Sequence, residues 1–109
     1  MKNILAGNPS LPTAFVANND VLALGTMRAL QELGYQIPGD ISIISLGNSA
    51  YDVISLPRLT TVDMEEHDFV LWLIRVLIDS IKGKSYAPCK IKIPGAVTER
   101  GSTAPPPAI

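Results

Sequence analysis

"PTAFVANNDVLALGTMRALQELG", Pro12 to Gly34, is the stretch whose reading decides the fold. Its first part, Pro12 to Asn18, is a short apolar run bounded by turn formers, the pattern of a buried parallel strand. From Val21 the period changes. Leu22, Leu24, Met27, Leu30 and Leu33 recur at helical spacings, with Arg28, Gln31 and Glu32 left for the wet face. Gly34 stands where a helix favours a left-handed residue, and Pro38 prevents resumption, so the spacing predicts a helix over Val21 to Leu33. "DISIISLG", Asp40 to Gly47, is β-branched and apolar and reads as the next strand. Strand, helix and strand in close succession make a βαβ unit, with parallel strands and a right-handed crossover.

Further along, Pro57 breaks any helix, and Leu59-Thr60-Thr61-Val62 reads as a third extended piece. Glu65 to Lys82 reads as a second helix, with Glu65, Glu66 and Asp68 at its positive end and Gly83 stopping it. Its middle is unusual. From Phe69 to Ile78 only Arg75 is polar, so the helix is apolar almost all round and must be covered by its own fold or a partner. "KIKIPGAVTERGST", Lys90 to Thr103, alternates like a strand interrupted at Pro94-Gly95, and "APPPAI" is a stiff, extended tail. The architecture is α/β with a mostly parallel sheet and flanking helices. Two helices cannot cover both faces of such a sheet, so the chain reads as a piece of something larger.

With 109 residues and no internal period the chain is one domain at most. A composition 47% hydrophobic and 17% charged is that of a globular protein. Nine basic against ten acidic side chains leave a net charge of −1, which argues against this segment gripping nucleic acid by itself. Cys89 is the single cysteine, so no internal disulfide forms, as suits a reducing compartment. The start, "MKNILAGNPS", lacks the apolar run of a signal peptide. The longest greasy stretch, Phe69 to Ile78, is about half of a membrane span. A soluble cytoplasmic protein, with no membrane partner, is the expectation.

In open α/β sheets ligands sit beyond the carboxyl ends of the strands. Two such ends are visible: Asn18-Asn19-Asp20 after the first strand, and Gly47-Asn48-Ser49 after the second. If the strands are neighbours, both clusters lie on one rim. Asn19, Asp20, Asn48 and Gly47 are then the candidate ligand-binding residues, suited to polyhydroxy compounds or purines rather than phosphates. A purely structural reading stands beside this one: Asp20, or Asn19 before it, accepts a hydrogen bond from an early helical N–H.

Other features carry no chemistry. "KGKS", Lys82 to Ser85, lacks the leading glycine of a phosphate-binding loop, whose place holds Ile78, and follows a helix instead of a strand. One histidine, His67, and one cysteine compose no zinc site. His67 has no G-x-S-x-G serine to serve in a hydrolytic triad. Trp72 reads as core or interface, and Asp52, Asp63 and Asp68 show no carboxylate-pair spacing. Neither an enzyme nor a cofactor is indicated.

"PTAFVANNDVLALGTMRALQELGYQIPGDISIISLGN", "PRLTTVD" and "VTERGSTAPP" together resemble, in order, the carboxyl-terminal part of LacI/GalR transcription regulators. Asn19, Asp20, Ala23, Leu24, Gly25, Arg28, Ala29 and Leu30 meet the family's helix signature, and Ile37 to Ile43 its I-P-x-D-I-S-I linker. The resemblance implies a partial periplasmic-binding-protein-like I fold. It implies a sensor lobe over 1–62, a crossover and a helix of the other lobe over 63–89, and a returning strand with a Pro-rich tail over 90–109. It also implies a homodimer that binds a sugar or nucleoside-like effector between lobes and touches DNA only through a helix-turn-helix outside this chain. A fragment of a periplasmic sugar-binding transport protein is the alternative.

In the family pattern Asn19 matches an asparagine aimed at ligand hydroxyls. After the second strand the pattern is G-[FY]-D-[DN], whereas this chain has Ser45-Leu46-Gly47-Asn48, so Gly47 stands in place of the acidic contact. Losing one charge-assisted bond of about 1.5–3 kcal/mol weakens sugar binding by roughly ten- to over a hundredfold. Glu66 stands where many members carry a phenylalanine near the ligand, and Val70, Leu71 and Trp72 replace what is commonly Gly and Arg.

Overall fold

A computed structural model of the chain describes residues 10–63, 66–106 and 108. The readings made above on residues 1–9, on Glu65 and on the side chains of Glu66 and His67 lie outside them. The elements are β1 (Ala14–Ala17), α1 (Asp20–Glu32), β2 (Ser42–Gly47), α2 (Tyr51–Ile54), β3 (Thr60–Asp63), α3 (Glu66–Ile81) and β4 (Ala96–Thr98). They form a four-stranded sheet in the order β1-β2-β3-β4. The first three strands run parallel, with Ala17 opposite Ser45 and Leu46 opposite Val62; β4 returns antiparallel, with Val97 opposite Val62.

The helix α1 forms where the periodicity places it. Ala23, Met27 and Leu30, at i, i+4 and i+7, are buried against the sheet. Its end is a Schellman motif: Tyr35 N–H donates to the Leu30 carbonyl at 3.0 Å, and Gly34 N–H to the Gln31 carbonyl at 3.0 Å. That turn requires a left-handed residue, and Gly34 has φ +89°. The core is completed by Ala29, Ile41, Ile43 and Leu59, with Phe15, Ala17, Leu24 and Tyr35 packed around it.

This core lies on one side of the sheet only. On the other face Val16 is 72% exposed and Val97 64%. Among the described residues no core residue comes from α3, and Phe69 through Ile74, with Leu77, Ile78 and Ile81, are all exposed. The radius of gyration is 18.3 Å, against roughly 13 Å for a compact chain of this length. The extents of 57 × 27 × 24 Å agree with that elongation.

Two elements differ from expectation. The alternating segment from Lys90 pairs with the sheet only at Ala96–Thr98. Pro94 has no N–H to donate, and Gly95 approaches β3 so closely that a Cβ there would stand 2.8 Å from Val62 Cγ1. The four-residue helix α2 was not anticipated, being too short for periodicity to reveal. Beyond β4 the chain wedges between β2 and β3. Ile43 N–H donates to the Ser102 carbonyl at 2.9 Å, Ser102 Oγ donates to the Ile43 carbonyl at 2.6 Å, and Thr60 N–H donates to Ser102 Oγ at 2.8 Å. Ser102 is thus fully buried, its hydroxyl both donating and accepting and its carbonyl accepting. No helix among the described residues is long and apolar enough to cross a membrane.

An apolar helix and an apolar sheet face left open in water predict association of the chain with itself. Light scattering across a concentration series is expected to show species larger than a monomer. A single, stably folded monomer at high concentration contradicts this reading of the surface.

Candidate functional site

Parallel pairing of β1 with β2 brings their carboxyl ends to one rim, so Asn18-Asn19-Asp20 and Gly47-Asn48-Ser49 do meet. What each side chain does there is less uniform than the sequence suggests. Asn19, not Asp20, is the cap: its Oδ1 accepts the Leu22 N–H at 2.9 Å from an extended backbone. Asp20 is the first helical residue and is buried. Its carboxylate crosses to the neighbouring strand end, where Oδ1 accepts the Ser45 hydroxyl at 2.5 Å and Oδ2 accepts the Ser49 N–H at 3.0 Å. Thr61 Oγ1 lies 3.1 Å from Ser45 Oγ, and the Thr61 hydroxyl donates to the Ser45 carbonyl at 3.3 Å. Burial alone would raise the Asp20 pKa, but the bonds from Ser45 and Ser49 outweigh it and hold the carboxyl below its ordinary value.

This arrangement accounts for Gly47. A Cβ there would stand 2.4 Å from Asp20 Oδ2 and 2.8 Å from Oδ1. The position has no room for a side chain while Asp20 bridges the strand ends. Asn48 adopts φ 78°, a left-handed conformation that asparagine tolerates better than most residues. Its Nδ2 donates to Asp63 Oδ2 at 3.0 Å, and its Oδ1 accepts from Arg100 Nη2 at 2.9 Å. Arg100 Nη1 donates to the Leu59 carbonyl at 2.7 Å. Asn48 is therefore a clamp between the end of β3 and the segment after β4.

Beside this rim lies a cleft of 430 Å³ lined by Asn18, Leu46, Gly47, Val62, Phe69, Ile93 and Gly95. Leu46 and Val62, opposite each other in the sheet, form its apolar floor. Phe69 at the start of α3 and Ile93 before β4 supply further apolar walls, and the Asn18 amide is the polar side chain on its border. Of the four residues singled out by sequence, Gly47 lines the cleft. Asn19 is exposed beside it with its oxygen committed to the cap, while Asp20 and Asn48 hold the rim together. Asn18 stood in the first strand-end cluster without being chosen among those four. Its only signal was its place between the strand and the cap. Phe69 and Ile93 gave no sign of a common cavity, because distant segments bring them together.

Residues 2–103 match the family described as periplasmic binding protein-like domain. The chain belongs to that family. It takes the form found in the sensor domains of LacI-type regulators. It is 32% identical over 98 residues to a protein of Rhizobium rhizogenes named a probable opine utilization operon repressor, covering 89% of this chain and 50% of that one. The transcriptional repressor PurR of Escherichia coli is 31% identical over 104 residues, covering 95% of this chain and 30% of PurR. Among solved structures, a LacI-type transcription regulator from Bifidobacterium animalis superposes with a TM-score of 0.81 at 27% identity, over 94% of this chain and 37% of that one. A regulator from Alkaliphilus metalliredigens solved with D-xylulofuranose gives 0.74 at 28% identity, over 84% and 35%. The chain thus spans half or less of the length of each of these relatives. The α/β fold with a mostly parallel, open sheet is that of a partial periplasmic-binding-protein-like domain.

Gly47→Ala is expected to destabilise the chain by about 1–3 kcal/mol through the clash with Asp20. In an Asp20→Ala background the same change should cost clearly less, since the clashing oxygens are gone. Urea unfolding of the four variants measures the coupling; strictly additive effects contradict the assigned contact.

Proposed function

We propose that this chain is part of an effector sensor in a LacI-type transcriptional regulator, and that a small polar solute binds in the cleft at the strand ends. The observation that carries this is the position of the cleft. It opens at the carboxyl ends of parallel strands, with an amide at its border and an apolar floor and wall. That combination suits a sugar or nucleoside-like compound, whose hydroxyls take hydrogen bonds from Asn18 and the Asn19 amide while a less polar face lies against Leu46, Val62 and Phe69. Gly47 contributes its backbone, and Asp20 and Asn48 fix the loops that shape the wall. A relative of the same fold was solved with a pentulose, which supports a sugar-sized occupant.

In this reading residues 1–62 belong to one lobe, 63–89 cross into the other and supply its helix, and 90–109 return. The exposed apolar surface of α3 supports that division, since a second lobe would cover it. The regulator acts as a cytoplasmic homodimer and reaches DNA through a helix-turn-helix outside this chain. No step is catalytic. The solute favours whichever lobe arrangement it contacts more fully, and operator affinity follows that shift in population.

Thermal-shift screening of the full regulator against pentoses, hexoses, nucleosides and purines is expected to yield a stabilising solute. Asn18→Ala should weaken that solute roughly twofold to tenfold, the worth of one neutral hydrogen bond, while leaving the melting temperature of the unliganded protein unchanged. Binding that is indifferent to Asn18→Ala contradicts the placement.

A further inference from the structure

Behind the rim, and independent of any solute, lies a second carboxyl group whose surroundings do not suit a charge. Asp52, in α2, is 0% exposed, and neither of its side-chain oxygens accepts a hydrogen bond. Among the described residues Arg100 stands beside it, with Nη1 3.7 Å from Asp52 Oδ2. That guanidinium is already committed, Nη1 to the Leu59 carbonyl and Nη2 to Asn48. The Ser49 hydroxyl, buried in the same place, also lacks a partner. Ser49 joins the two acids directly: its N–H donates to Asp20 Oδ2, and its carbonyl accepts the Asp52 N–H at 3.1 Å. A buried carboxylate with no donor is costly to keep ionised, and a proton removes the cost if an acceptor stands nearby.

We propose that Asp52 and Asp20 form a proton-sharing pair, in which Asp52 carries the proton and donates it to the Asp20 carboxylate that holds Ser45 and Ser49. The groups facing Asp52 are consistent with this. From α1 the Asp20 carboxylate acts on it, and from the segment after β4 Arg100; the loop after β2 offers the uncharged Ser49. Asp63, at the end of β3, accepts from the Asn48 amide, which in turn accepts from Arg100. Burial first, and then the negative charge of Asp20, push the Asp52 pKa above its ordinary 3.8, against the opposing pull of Arg100. Asp20 is held below 3.8 by its donors.

The two acids then act on stability in opposite senses. Asp52, raised in the folded chain, contributes stability that is fully present below pH 3.8 and is lost as pH rises through its folded value. Asp20, lowered, contributes stability present above pH 3.8 that is lost as pH falls through its folded value. Ionising Asp52 places two negative charges beside one engaged guanidinium and loosens the Ser49 loop that follows Gly47. The rim of the cleft is thereby linked to pH.

Asp52→Asn tests the pair, because the amide keeps a donor toward Asp20 and removes the titration. Urea unfolding of the wild-type chain and the variant, at one fixed protein concentration, is compared from pH 4 to pH 8. The variant's midpoint is expected to rise relative to wild type as pH increases, with the two close together at the acid end. A difference that stays constant over the whole range overturns the proposal. Should the variant fail to fold, carboxyl-carbon NMR titration of the wild-type chain decides the matter: Asp52 is expected to titrate above 3.8 and Asp20 below it. Asp52 titrating at or below 3.8 would mean that Arg100 holds it ionised, which also overturns the proposal.

Discussion

A carboxylate buried between two parallel strand ends is the constraint on which the rim of this sheet depends. Asp20 begins α1, yet its oxygens are spent on Ser45 in β2 and on the backbone of Ser49 beyond it. One side chain thus fixes the start of a helix, the end of the neighbouring strand and the loop that leaves it. Everything near the cleft follows from that choice. Gly47 has no room for a side chain because Asp20 occupies the space, Asn19 is left to cap the helix, and Asn18 is the amide that remains on the border of the cleft. Charge-assisted bonds of this kind are stronger than neutral ones, and a buried acceptor left without its donors is expensive, so the arrangement resists rearrangement.

The second governing fact is asymmetry of cover. Helix α1 and the approach to β3 seal one face of the sheet, and the wedge of Ser102 closes the gap between β2 and β3. The opposite face and nearly all of α3 remain exposed. The cleft is where this open face meets Phe69 and Ile93, so its walls belong to segments that leave the sheet and come back. In a hinged sensor, a pocket built from such segments changes shape when the two parts rotate, which connects the missing cover to the proposed response.

Much of this was legible in the sequence, and the reasons are local. The strand around Phe15, the helix from Asp20, the Gly34 stop and the strand around Ile43 each carry a periodicity or a turn residue that needs no tertiary information. The apolar girth of α3 announced the incomplete cover. Where reading from sequence fell short, the deciding partner lay far along the chain. Asn19 and Asp20 are both good caps, and only Ser45, 25 residues beyond Asp20, determines which of them turns away from the helix. Lys90 to Ile93 alternate as a strand does, but among the described residues no neighbouring strand pairs with them. Asp52 showed no carboxylate-pair spacing, and the Arg100 that stands beside it in the fold lies far along the chain. The glycine at position 47 looked like the loss of a ligand contact; the structure shows it as the space that Asp20 requires.

The central claim, that the strand-end cleft receives the effector, is tested most directly by a crystal structure of the full regulator grown with the solute that stabilises it. The account predicts density for that solute between the Asn18 amide and Gly47 on one side and Phe69 on the other, with Asp20 still bridging Ser45 and Ser49. Density elsewhere, with the Asn18 amide turned to solvent and the cleft closed by protein side chains, would contradict it.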